Sequence, residues 1–127
     1  MRTIEEKIIA PLRSGNGFKK LSCRDSVKVE ENRIEYYLWD NLLFWNDSEN
    51  TYYFTGRGWC SLTTKNRLNA ILYNFLHVYI IQKNYKWFLN WNQKEYLIDE
   101  ANIFYFKGDK LYKKASHDVE VLPIENN

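Results

Sequence analysis

Two cysteines, two histidines, two prolines, five glycines and one methionine are all that the 127-residue chain holds of those types. Cys23 and Cys60 stand 37 residues apart without a CxxC spacing, which excludes a cysteine zinc site and a disulfide framework. His77 and His117 belong to no metal or triad spacing, so general-base chemistry has little to draw on. Asp99 and Glu100 are adjacent and point to opposite faces of any strand, so they cannot share a site as an acid–base pair. Cys60 is the one candidate nucleophile, just before a helix start, but a small buried thiol beside Trp59 accounts for it more simply. No run approaches the roughly 18 apolar residues of a membrane span. Residues 1–12 carry Arg2, Glu5, Glu6 and Lys7 within their only apolar run, so no signal peptide is expected and a cytoplasmic location is. No enzyme activity, cofactor, metal or membrane partner is expected.

Acid is missing from the middle of the chain. Residues 51–94 hold six Lys or Arg and no Asp or Glu, although the chain as a whole has 18 basic and 16 acidic residues. The formal net charge of +2 therefore conceals a basic middle between acidic flanks. Hydrophobic residues at 45 % exclude a disordered chain, and the length suits one domain over residues 1–127. Aromatics are abundant, with ten Tyr and five Trp. Such a number either tiles both faces of a sheet, where these residues are favoured, or supplies rings to a partner.

The periodicity predicts an α+β fold: an antiparallel sheet of hairpins packed on one central amphipathic helix, plus a short N-terminal helix. That first helix is expected over residues 3–12, capped by Thr3 and ended or kinked at Pro11, with a loop over 14–17. Val27, Val29, Ile34, Tyr36 and Leu38 alternate about a turn at Glu31 and Asn32, and apolar runs at 42–45 and 52–54 extend a four-stranded meander. Leu68, Ile71, Leu72, Phe75 and Leu76 then fall at helical spacing, with Thr63 as the expected cap. Beyond it, 78–81 and 85–89 read as strand, 91–94 as a hairpin turn, and 103–112 as a further short hairpin. Residues 115–127 are expected to form a flexible acidic tail.

The loop Gly56-Arg57-Gly58 feeding a helix N-terminus has the ingredients of an anion site: flexible backbone, free amides, nearby hydroxyls, and the cations Arg57, Lys65 and Arg67. The GxxxxGK[ST] pattern is absent, so a nucleotide-hydrolysing P-loop is not implied. With Trp59 and the cluster Lys83, Tyr85, Lys86 and Trp87, these residues form the candidate surface for a partner or a nucleic acid.

The run Gly58-Trp-Cys-Ser-Leu-Thr-Thr-Lys-Asn-Arg-Leu-Asn-Ala-Ile-Leu72, followed by Gln82-Lys-Asn-Tyr-Lys-Trp-Phe88, resembles a pattern in small bacteriophage-encoded proteins with a Thr-Thr-Lys-x-Arg-Leu-Asn helix. The resemblance spans residues 51–104 and brings no established activity or functional residues. It implies a phage or prophage origin. The expectation is then a non-enzymatic accessory protein that binds a host protein or ribonucleoprotein complex handling nucleic acid, for instance as an anti-defence factor of the anti-CRISPR type. The alternative is direct binding of RNA or single-stranded DNA, in which Tyr and Trp stack bases and Lys and Arg neutralise phosphates.

Overall fold

In the computed structural model, the structure describes residues 4–47, 50–58, 61–99, 101–114 and 117–124. Thr3, Trp59, Cys60 and Glu100 lie outside the described residues, and with them the expected Thr3 cap and the roles considered for Trp59, Cys60 and Glu100.

The helical stripe of the middle forms α2 (Leu62–Leu76), and its Leu68, Ile71 and Leu72 are fully buried. Phe75 is half-buried, tilted against Phe44 and Tyr52, with the Arg13 guanidinium 5.1 Å above its ring. The cap is Ser61 rather than Thr63: its extended backbone precedes the first helical residue, and its hydroxyl accepts the Thr64 N–H at 3.1 Å. At the other end His77 caps the helix in the left-handed conformation and returns its N–H to the Tyr73 carbonyl.

Helix α1 (Ile4–Ser14) runs past Pro11 instead of ending there. Pro11 costs one backbone donor, but Leu12 is buried beyond it, and Arg13 reaches the side chain and carbonyl of Asn74 on α2. Gly15 closes the helix, giving its N–H to the Pro11 carbonyl at 2.7 Å, where an added Cβ would meet that oxygen at 2.5 Å.

Eight antiparallel strands make the main sheet. Their order is β1 (Gly17–Lys20), β2 (Asp25–Glu30), β3 (Arg33–Leu38), β4 (Asn41–Asn46) and β5 (Tyr52–Phe54), then β9 (Ile103–Lys107), β10 (Lys110–Lys114) and β11 (Val119–Glu120). A second sheet of three strands, β6 (Tyr79–Lys83), β7 (Lys86–Trp91) and β8 (Lys94–Ile98), follows α2. One core joins both helices and both sheets, running from Ile8 and Leu12 through Tyr36, Phe44 and Leu68 to Trp87, Phe104 and Leu111. The fold is thus a single α+β domain of antiparallel hairpins on a central helix, with the hairpins divided between two sheets.

Three stretches depart from expectation. Gly17, expected to end a loop, instead opens the edge strand β1 beside β2. The apolar run after α2 is broken at Asn84 and Tyr85, both with positive φ, so Tyr85 belongs to a turn rather than a strand. The expected loose tail carries β11 instead, whose Glu120 pairs with Tyr112; beyond it Val121 donates to Leu111 and Ile124 to Glu95.

Candidate partner-binding groove

The sequence-nominated residues do not gather into one site. Arg67 points inward, 5 % exposed, and its guanidinium Nε lies 2.8 Å from the carboxylate of fully buried Asp25. Tyr36 and the Ser22 hydroxyl donate to the same carboxylate. Burial alone would raise Asp25, but the hydrogen bonds from Tyr36, Arg67 and Ser22, with the Arg67 charge, outweigh it and hold its pKa below the ordinary value. Burial and the bond to Asp25 push Tyr36 upward. Arg67 is therefore a structural cation, and its place on a partner-facing surface is corrected.

The expected anion site is not assembled either. Arg57 sits exposed in its turn with its guanidinium donating to the Leu42 carbonyl at 3.0 Å. Lys65 lies half-exposed on α2, while Ser61 and Thr64 bond to each other across the first helical turn. The Thr-Thr-Lys-x-Arg-Leu-Asn segment is accordingly architectural: Thr64 joins the cap, Arg67 pairs with Asp25, Leu68 fills the core, and the Asn69 side chain bonds both the N–H and the carbonyl of Ile80 on β6.

Most rings are occupied as well. Trp45, Tyr53, Tyr105 and Tyr112 line up across β4, β5, β9 and β10, with successive centroids 5.1, 5.2 and 5.2 Å apart. Trp45 and Tyr53 are within 6° of parallel. Rings that face one another present edges rather than faces to solvent, so this ladder tiles the sheet and is no platform for bases. Burial and the hydrogen bond to Asp118 push the Tyr105 hydroxyl up to about 12.

The structure does bring Tyr85, Lys86 and Trp87 together. They border a groove of about 500 Å³ between the β7–β8 hairpin and the β10–β11 end of the main sheet. Trp87, Ile98 and Phe104 are buried beneath it, and exposed Leu97 and Val119 form its apolar walls. Its charges balance: Lys86 and Lys113 against Asp99 and Glu120, with Lys113 3.8 Å from Asp99. Tyr85 is 93 % exposed at the mouth, held out by the positive-φ turn Asn84–Tyr85. Lys83 pairs with Glu95 at 2.6 Å instead of joining this wall. Trp87, nominated as a surface ring, is 1 % exposed, a correction that follows from its alternation with Lys86 and Phe88 on β7. Its indole N–H has no hydrogen-bond partner among the described residues.

The sequence gives no hint of the groove's other wall, because Leu97 and Val119 are far apart in the chain. The register defines what that wall offers. The Trp91 and Lys94 pair closes a two-residue turn, so alternation along β8 directs the backbone groups of Glu95 and Leu97 away from β7. The Glu95 carbonyl indeed accepts Ile124 N–H at 2.7 Å. Leu97, two residues further along β8, lines the groove.

Among the described residues, no group of three or more His, Cys, Asp or Glu could hold a metal, and no helix is long and apolar enough to cross a membrane. No curated protein and no solved structure matches the chain. The family described as Kyanoviridae Gp96 protein matches residues 1–112, and the chain therefore belongs to this family of phage proteins.

Proposed function

We propose that this phage accessory protein acts without catalysis, by docking on a protein component of a host complex that handles nucleic acid, an anti-defence role of the anti-CRISPR type being one such use. The observation that carries the proposal is the groove beside Tyr85, with its apolar walls and balanced charge. Its occupant is an extended segment of the host protein that adds to the edge of β8 at Leu97. Main-chain bonds would supply affinity, and an apolar side chain between Leu97 and Val119 would supply selection. The chain's own residues 121–124 support this occupant, since they already bring Ile124 to the neighbouring edge position at Glu95. Balanced charge suits a protein segment better than a polyanion.

Affinity capture from host cells tests it, with nuclease treatment and with the variant Leu97→Asp. The expected result is one nuclease-resistant host polypeptide that the variant fails to retain. Retention of the same polypeptide by Leu97→Asp would show that docking does not use the groove, and a capture lost on nuclease treatment would favour direct nucleic-acid binding.

A further inference from the structure

At the opposite edge of the main sheet, two large rings stand exposed over a cleft of about 440 Å³ between β1, residues 23–24 and the turn joining β3 to β4. Phe18 is 67 % exposed and Trp39 54 % exposed. Neither ring has a ring or cation contact among the described residues, unlike the rings of the Trp45–Tyr112 ladder. Lys20 and Arg24 line the same cleft, and neither is ion-paired among the described residues. Two acids line it too. Asp25 is committed to Arg67, which leaves Asp40 on the rim as the opposing charge.

The Trp39 backbone adds an independent sign. Trp39 and Asp40 both have positive φ, 51° and 64°, in the two-residue turn between β3 and β4. A bulky residue is disfavoured there, where Asn or Gly is the usual choice, and such strain tends to persist where the displayed side chain has a use. The Asn41 amide bonds the Trp39 carbonyl and steadies the turn.

We infer that the Phe18–Trp39 cleft binds single-stranded nucleic acid, with an unpaired base against the two rings and Lys20 and Arg24 on its phosphates. Free ring faces attract bases of any identity, and unpaired cations release counterions on meeting phosphate, so binding should be sequence-tolerant and salt-sensitive. The cleft shares no residue with the groove at β8, and the inference is independent of the docking proposal.

The test is fluorescence anisotropy of the full chain with a labelled oligothymidine of roughly 12 nucleotides, at several salt concentrations between about 50 and 200 mM. The parent binds, and Trp39→Asn, which suits the left-handed turn while removing the ring, weakens binding roughly tenfold or more. Lys20→Gln with Arg24→Gln lowers the salt slope by about 1.4, at roughly 0.7 per single-strand contact. Lys107→Gln with Lys110→Gln, an equal loss of charge elsewhere, leaves affinity within about twofold. Leu97→Asp binds the oligonucleotide as the parent does. No binding by the parent at the lowest salt would overturn the inference, as would a duplex bound equally well or unchanged affinity in Trp39→Asn.

Discussion

Arg67 of α2 and Asp25 at the start of β2 meet at 2.8 Å inside the core, both almost wholly withdrawn from water. The pair ties the central helix to the first hairpin, and each charge is tolerable there only because the other is present. Arg67→Ala should therefore cost about 3–5 kcal/mol, because it strands a buried carboxylate. Lys65→Ala, two residues earlier and half-exposed, should stay within about 0.5 kcal/mol. Urea unfolding of both variants measures the difference, and equal small losses would contradict a structural role for Arg67.

Asp25 also fixes the direction of a pH effect. Its folded pKa lies below the ordinary 3.8, so its ionisation stabilises the fold above that value, and the contribution fades as pH falls toward and through the lower folded value. The stability gap between the parent and Asp25→Asn should be widest near neutral pH and narrow below about pH 4. Denaturant midpoints across that range would show it. A gap that widened on acidification would contradict a stabilising Asp25 carboxylate.

Asn69 imitates a neighbouring strand, since its side-chain amide bonds both backbone groups of Ile80 at the free edge of β6. Asn69→Ala should cost about 1–3 kcal/mol by leaving those groups unsatisfied. The Ile80 amide should then exchange with solvent faster than those of β7. Unchanged Ile80 exchange in the variant would remove this role.

Periodicity exposed most of the fold but little of the site. The stripe Leu68, Ile71 and Leu72 and the alternation through Val27, Tyr36 and Leu38 are local signals, and the core follows from them. The turn at Asn84–Tyr85 was hidden because Asn-Tyr lacks the glycine of the common two-residue hairpin, leaving two strands to read as one. Arg67 looked like a surface cation because its partner Asp25 lies 42 residues earlier, and no spacing rule links them. The basic stretch was real in sequence and dispersed in space, with Arg57 tied to Leu42, Lys83 to Glu95 and Arg67 to Asp25. The groove depends on a strand end near residue 98 meeting another near residue 119, which only the folded chain juxtaposes.

Tyr85 separates function from stability. Its φ of 64° suits glycine better than tyrosine, so Tyr85→Gly should raise stability by about 1 kcal/mol while removing the ring at the groove mouth. Weaker retention of the host polypeptide by this more stable variant is the expected outcome. A destabilised variant, or one that retains the polypeptide fully, would count against the role given to Tyr85.

Site-specific photo-crosslinking in host cells measures docking through the groove, with a benzophenone amino acid placed at Val119 in the groove wall or, as control, at Glu30 on β2 near the opposite edge of the sheet. A nuclease-resistant crosslink to one host polypeptide is expected from position 119, absent from position 30 and abolished when Leu97→Asp is added. Equal crosslinking from both positions, or a position-119 product that survives Leu97→Asp, would contradict docking through the groove.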